Sequence, residues 1–524
     1  MTSVATDSLA ALSQRLRAVA GVLLDDVPEP HVDIAHDAAN LLSALVAVAR
    51  DSLRADHAWI LYTAVSGHLP LPDDVDDLLR WFELSTNAVD AEIGLLRRAR
   101  SAIAAHGEAG CALEVVVDAV VVDVTFSAQN DKHTGIQRVT REVCPRWNAA
   151  HDITLAAWSS GQSALRTLSP DERERVLAWT GRAGGASQRR AATPTGVSRT
   201  TTASETTPSH EPVTLVPWRC TIVLPEVAQG MTALPLAAIA QHSGNVVVAI
   251  GYDAIPVVSA DLRPVPEPNQ FVRYLTVIKH ARRVAGISKS SAAEFRGFSQ
   301  AVSAQGLAGP EVSEIQLAAE VPMTAGAPDP ATSPKSPGKE PGARRILCVG
   351  SHELHKNHLA VLHAAELLWR EGQRFELIFI GGPGWDTRGF DSRLAELTAQ
   401  GRPITNLGSV SDDQLWSLYR EAMFSVFPSL HEGFGLPVAE SLACGTPVIT
   451  TCYGSTEEIA ERGGCLLADP LDDHDLVRAM RTLLTDDTVY DRLRREAHAV
   501  VPRTWDTYAA EVWDCLVEDT GSTG

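Results

Sequence analysis

The stretch Phe427-Pro428-Ser429-Leu430-His431-Glu432-Gly433-Phe434-Gly435-Leu436-Pro437-Val438-Ala439-Glu440 holds the residues best placed to do chemistry. Phe424 to Pro428 reads as a strand, and a helix starts near Leu436 with Pro437 in its first turn, where a missing N–H costs nothing. The glycine-bearing loop between them lets free N–H groups and the positive end of the helix dipole face an anion. Glu432 precedes the helix and Glu440 lies about one turn inside it, so two carboxylates, each a good acceptor for paired sugar hydroxyls, flank a place for phosphate.

The composition shows why such a local device is needed. The formal charge is −20, from 65 acidic against 45 basic residues, which disfavours a broad electrostatic grip on nucleic acid or anionic lipid. With 45% hydrophobic and 21% charged residues the chain reads as globular, and its 524 residues predict two to four domains at roughly 100–200 residues each. The eight cysteines form no CxxC pair, which argues against zinc modules and a disulfide framework. The first thirty residues lack a basic segment before an apolar run, and no stretch approaches the ~20 apolar residues of a membrane span, so the expected place is the cytoplasm, with peripheral contact at the inner membrane face left open.

Residues 1–110 carry apolar positions at spacings of three and four (Leu9, Leu12, Leu16, Val19, Leu23; then Leu41, Leu45, Val48) and predict a helical extension that packs on the rest of the chain or on a second subunit. Residues 111–321 switch to β-branched runs, Val115 to Val117 and Val120 to Val122, that suit strands buried on both faces of a parallel sheet. Further strands are expected at Ile153 to Ala157, Thr221 to Pro225, Asn245 to Gly251 and Arg283 to Ile287, alternating with helices, so this unit is a Rossmann-like domain. Within it 181–212 is rich in Ser, Thr, Gly and Ala and reads as a disordered insertion. Six prolines mark 322–343 as a linker. From 344 to 501 strands and helices alternate again as a second Rossmann-like domain, and the apolar spacing at Trp505, Tyr508, Ala509 and Val512 makes 502–524 a packed terminal helix and tail. The expected fold is α/β, two such domains facing across a cleft, where small ligands bind.

The run from Glu432 to Glu440 resembles the E-x7-E signature of retaining GT-B glycosyltransferases of group 1, family 4. The resemblance covers roughly 344–515 and extends to Val349-Gly350-Ser351-His352-Glu353-Leu354-His355-Lys356-Asn357-His358, Gly381-Gly382-Pro383-Gly384-Trp385 and Ala443-Cys444-Gly445-Thr446-Pro447-Val448. It is weaker in the first domain, through Thr134-Gly135-Ile136-Gln137-Arg138-Val139 and Tyr252-Asp253-Ala254-Ile255-Pro256, and the end of the chain, 502–524, resembles the terminal helix and tail that in this architecture cross back to the first domain. The resemblance implies that Lys356 neutralises the donor diphosphate, that backbone N–H groups at Phe434, Gly435 and Leu436 bind phosphate or sugar, that Glu440 holds the ribose and that Glu432 holds hydroxyls of the transferred sugar. Gly350, Ser351 and Gly382 complete the donor side, and Lys356, Glu432 and Asp253 are the catalytic candidates. A lysine here also has a physical reason, because a fixed cation stabilises the charge a leaving diphosphate gains.

Two departures stand out. Ser351 and His355 occupy positions where many relatives carry arginine, so Arg138 or Arg388 is expected to supply the missing charge. Tyr252 stands where many have histidine, which leaves Tyr252, Asp253 or His133 to contact the donor sugar. Gly135, His133, Arg138 and Tyr252 are the acceptor-side or sugar-contacting candidates. No metal site and no cofactor are expected: Asp472-Asp473-His474-Asp475 reads as a helix N-cap. The expected reaction is transfer of a hexose, mannose favoured, from a nucleoside diphosphate sugar such as GDP-mannose to a glycan or lipid-linked oligosaccharide in surface-polysaccharide assembly. A nucleotide-sugar sensor without turnover, or another GT-B nucleotide-sugar enzyme, is the alternative, and homo-oligomerisation through 1–110 is allowed for.

Overall fold

The computed structural model describes residues 2–107, 113–179, 212–228, 230–320 and 344–518; the insertion expected at 181–212 and the linker expected at 322–343 lie almost entirely outside them. Two sheets organise the chain. The first has nine strands: β1 (Leu113–Val117), β2 (Val120–Asp123), β3 (Ile153–Trp158), β4 (Leu165–Thr167), β5 (Thr214–Trp218), β6 (Thr221–Leu224), β7 (Val246–Gly251), β8 (Arg283–Gly286) and β9 (Glu311–Glu314), in the order β1-β5-β4-β3-β2-β6-β7-β8-β9. All neighbours run parallel except β4, which is antiparallel to both β3 and β5. The second sheet is wholly parallel: β10 (Arg345–Val349), β11 (Glu376–Ile380), β12 (Ile404–Asn406), β13 (Phe424–Phe427), β14 (Val448–Thr451) and β15 (Cys465–Ala468), in the order β12-β11-β10-β13-β14-β15. This is the doubly wound order of nucleotide-binding sheets, whose ligand crevice opens where the order reverses, between β10 and β13.

The extension forms five helices: α1 (Thr2–Leu23), α2 (Ile34–Ser52), α3 (Ala55–Ser66), α4 (Pro72–Leu84) and α5 (Ala88–His106). They cover one face of the first sheet. Leu16, Leu41, Leu45, Trp59, Ile60 and Leu78 are buried in one cluster with Val121, Trp158, Val216, Ile222 and Val247 of the strands. On the opposite face lie helix Gly135–Ala150 and the terminal helix Trp505–Leu516, with Val139, Val143, Trp147, Tyr508, Val512 and Leu516 buried against Val122, Val223, Val248 and Ile250. The terminal helix packs on the first sheet's helix: the Trp147 indole N–H donates to the Ala509 carbonyl at 2.9 Å, and Trp513 stacks on His151 at 3.8 Å.

The structure corrects one sequence reading. The valines of β1 are not buried on both faces, because β1 is the edge strand of the sheet: Val115 and Val116 are half-buried and Val117 is 42% exposed. The strands β4, β5 and β9 were also beyond the sequence reading. β4 has three residues and β9 alternates charged with small side chains, so neither has a strong apolar signature.

Candidate active site

Both sides of the β10/β13 crevice deliver site residues from strand ends. β10 ends at Gly350, whose φ of +147° turns the chain into a short 3-10 turn, Leu354–Lys356. At the end of β11, Gly381 packs so closely that a Cβ there would sit 1.9 Å from the Gly350 carbonyl oxygen. Gly382 follows, its carbonyl accepting from His352 N–H at 3.0 Å. From the other side β13 runs into Ser429, and the loop reaches helix Leu436–Ala443, capped by Gly435 at φ +103°, a left-handed conformation that favours glycine.

The two loops meet in a single charge pair. Lys356 Nζ donates to Glu432 Oε1 at 2.6 Å, with the side chains only 15% and 11% exposed. The Ser429 hydroxyl adjoins both the His355 carbonyl oxygen and the Glu432 carboxylate, and Leu430 N–H donates to His355 carbonyl at 2.7 Å, so the lysine turn and the glutamate loop are tied together. Behind them Thr451 donates to the Ser429 carbonyl and Ser455 to the Glu432 carbonyl, at 2.6 and 2.8 Å. The N–H groups of Phe434, Gly435 and Leu436 donate to no acceptor among the described residues, while the Phe434 ring itself is buried. An anion over this helix start would find donors already in place, a cation at Lys356 and no reorganisation to perform.

The first sheet closes over this loop. A Cβ at Gly433 would lie 2.4 Å from the Tyr252 carbonyl oxygen and 3.1 Å from the Asp253 carboxylate, so only glycine fits. Ser288 Oγ donates to the Gly433 carbonyl at 2.6 Å. Glu458 accepts from the N–H groups of Lys289 and Ser290 at 2.9 and 2.8 Å, capping helix Lys289–Ser303 from the other side of the crevice. Asp253 therefore sits beside Glu432, and burial, reinforced by the Glu294 and Glu432 charges, raises its carboxyl to about 6. His431 bridges the sheets as well, contacting Glu294 at 2.6 Å and Ser259 at 2.8 Å, and the hydrogen bond with Glu294 raises its imidazole.

Glu440 is engaged rather than free. It is 5% exposed, ion-paired with Arg138 and within 3.3 Å of the Tyr419 hydroxyl; burial raises its carboxyl, and the arginine opposes the shift. Arg138 stands over the rings of Trp416 and Trp505 at 5.5 and 5.9 Å. Gly135, at the start of the same helix, faces Leu436 across the crevice, where a Cβ would lie 3.5 Å from its Cδ1.

The remaining sequence candidates lie as follows. The Tyr252 hydroxyl donates to the Pro225 carbonyl at 2.6 Å within the core, so it is its backbone that meets the loop. His133 is exposed, stacked on Trp179 at 5.5 Å and held by Arg141 at 3.0 Å. Ser351 Oγ turns to Glu353 at 3.1 Å. Arg388 is 91% exposed on Asp386, so of the two arginines proposed to supplement Lys356 only Arg138 is in the crevice. Asp472 accepts from His474 N–H as an N-cap, and no group of three metal-ligating side chains is present among the described residues.

Sequence reasoning missed Arg263, which pairs with Glu353 and reaches His355 Nδ1 at 3.3 Å, bringing a further cation to the lysine turn from 92 residues away. It also missed Glu226, at the equivalent switch point of the first sheet beyond β6. Glu226 accepts from the N–H groups of Phe126 and Ser127 at 2.9 and 3.0 Å, and burial raises it to about 7. No local spacing marks either residue.

Two doubly wound sheets, opposed across a crevice with a loop and helix start presented for phosphate, are the GT-B architecture of glycosyltransferases. Residues 330–500 match the family model described as glycosyl transferases group 1. The matching region is 39% identical over 130 residues to the O-antigen chain mannosyltransferase B of Escherichia coli, covering 24% of this chain and 33% of that protein. It is 30% identical over 195 residues to a D-inositol 3-phosphate glycosyltransferase of Nocardia farcinica, covering 34% and 43%. The matched region thus spans well under half the length of these relatives. Sucrose-phosphate synthase of Thermosynechococcus elongatus shares the fold with a TM-score of 0.51 at 14% identity, over 78% of this chain and 100% of that one. Anabaena HepE, solved with UDP and glucose, does so at 0.50 and 12%, over 77% and 99%.

Proposed function

We propose that the protein transfers mannose from GDP-mannose to a hydroxyl of a glycan or lipid-linked oligosaccharide, with retention of anomeric configuration. The observation that carries this reading is the Lys356–Glu432 pair, which lies beside the unoccupied N–H groups of residues 434–436 at the switch point of the second sheet. In this reading the donor diphosphate takes Lys356 and the helix start, the sugar hydroxyls take Glu432, and the ribose takes Glu440 as the latter exchanges its bond with Arg138. The bond from the sugar C1 to the diphosphate oxygen breaks, and the acceptor oxygen bonds C1 on the same face. The acceptor's proton passes to the departing phosphate oxygen, whose growing charge Lys356 stabilises. Asp253, beside Glu432, faces the sugar. Mannose is favoured by the relationship to the O-antigen mannosyltransferase and by the Gly350–His358 segment. The described residues include no helix long and apolar enough to cross a membrane, and we place the reaction in the cytoplasm, where nucleotide sugars are made, with the acceptor lipid reached from the membrane's inner face.

The test is a thermal-shift panel of GDP, UDP, dTDP and ADP with their sugars, followed by hydrolysis of the best donor. A ligand at a hundredfold excess over Kd raises stability by about 2.7 kcal/mol. The expected result is a shift with GDP and slow release of mannose from GDP-mannose. A shift with another nucleotide alone overturns the donor, a shift without transfer to any glycan acceptor favours a sensor, and no shift overturns the site.

A further inference from the structure

The opposite end of the second sheet holds a second basic cavity that the proposed reaction does not use. It measures about 290 Å³, near the lower limit of ligand pockets, and opens at the amino ends of β10, β13 and β14, one strand length or about 15 Å from the donor loops at their carboxyl ends. Its walls carry four arginines (Arg344, Arg345, Arg420 and Arg494), with His498, against one carboxylate, Glu421. Glu421 is already taken by Arg345, which also reaches Glu376 at 3.5 Å. Arg344 is anchored through one nitrogen to the Leu484 carbonyl, while Arg420 and Arg494 make no hydrogen bond or ion pair among the described residues.

Other arginines of this domain do find carboxylates. On the same helix, Asp487–Ala499, Arg492 pairs with Glu496 at 2.8 Å, and elsewhere on this domain Arg478 pairs with Asp472 and Asp475, and Arg481 with Glu371. In a chain of net charge −20, carboxylates for pairing are abundant, yet this cavity sets four guanidinium groups against one carboxylate. Gly445, at φ +74°, makes room for the His498 ring, which would collide with a Cβ there at 2.3 Å. Guanidinium forks match the paired oxygens of phosphate, and mutually repelling cations held around a cavity are relieved by an anion.

We propose that this cavity binds a phosphate-bearing ligand, as a site distinct from the donor crevice and independent of which sugar is transferred. The chemistry is that of a phosphate monoester or diphosphate, carried by a soluble metabolite or by a lipid headgroup. Inorganic pyrophosphate is titrated calorimetrically into the full-length protein, its Lys356→Ala variant, which removes the donor-site cation, and an Arg420→Ala/Arg494→Ala variant, both substitutions being on exposed side chains. The expected result is a binding event that survives Lys356→Ala and weakens at least tenfold in the double variant, with the melting temperature and GDP affinity of the double variant unchanged. Loss of all binding in Lys356→Ala, or undiminished binding in the double variant, overturns the proposal. Co-sedimentation with vesicles of phosphatidylcholine and phosphatidic acid, whose headgroup is a phosphate monoester, then separates the sources. Sedimentation that the double variant loses assigns a lipid headgroup, and pyrophosphate binding without sedimentation assigns a soluble ligand.

Discussion

Arg138 and Glu440, 302 residues apart in the chain, form a buried ion pair that joins the two sheets directly at the proposed ribose site. Removing one partner of such a pair leaves an uncompensated buried charge, which costs about 3 kcal/mol or more, whereas replacing both by apolar groups is often neutral. Arg138→Leu should therefore lower the urea midpoint sharply, and Arg138→Leu/Glu440→Leu should recover most of it. Equal losses in single and double variants would show that the pair is not what couples them.

The roles proposed for the three charged residues of the crevice should separate kinetically. Lys356→Ala should lower turnover by about 10²–10³-fold, the range for losing one fixed stabiliser of a developing anion, and should also weaken GDP. Glu440→Ala should weaken nucleotide binding, while Glu432→Ala should depress kcat with little change in GDP affinity. Isothermal titration with GDP beside initial rates checks this, and an equal loss of GDP affinity in all three variants contradicts the assignment.

Glu226 gives the stability a pH dependence of known sign. Its carboxyl titrates near 7 in the folded chain against an ordinary 4.5, so the folded state holds the proton more tightly than the unfolded one. The associated stability is present in full below about pH 4.5 and is lost as pH rises through 7, to roughly 3 kcal/mol at most. Asp253, raised to about 6, adds a component of the same sign. Glu226→Gln should flatten the profile of urea midpoint between pH 5 and 8, and a wild-type midpoint rising over that range would refute it.

Gly433 tests the contact between the sheets. Its missing side chain is what allows the Tyr252 carbonyl to approach, and an added methyl must force the sheets apart or strain the loop, at about 1–3 kcal/mol. Gly433→Ala should reduce both melting temperature and GDP affinity. Gly401→Ala is the comparison: Gly401 also has a left-handed φ, +75°, but nothing within 4 Å, so its loss should be confined to stability.

The second sheet was more legible in the sequence than the first because its signals are local. Pro437, the flanking glycines and the four-residue apolar strand before them are consecutive, and each has one structural consequence. The valines of β1 misled because apolar content reports strand propensity and not position in the sheet; only the pairing with β5, 101 residues on, makes β1 an edge. The same holds for the site. Lys356 and Glu432 could be read from motifs, whereas Arg138 against Glu440, Arg263 against Glu353 and Glu294 against His431 are products of two domains meeting, and no spacing within either domain encodes them.

The terminal helix bears on synthesis. The face of the first sheet that Trp147 helps to form is covered by residues 505–516, and the Trp147–Ala509 bond closes only after 362 further residues have been made. At 5–20 residues per second that is roughly 20–70 s in which a nascent amino-terminal unit carries an uncovered apolar face on the ribosome. The helix that completes the fold is therefore also the one whose loss, by a late stop codon, would leave that surface open to aggregation.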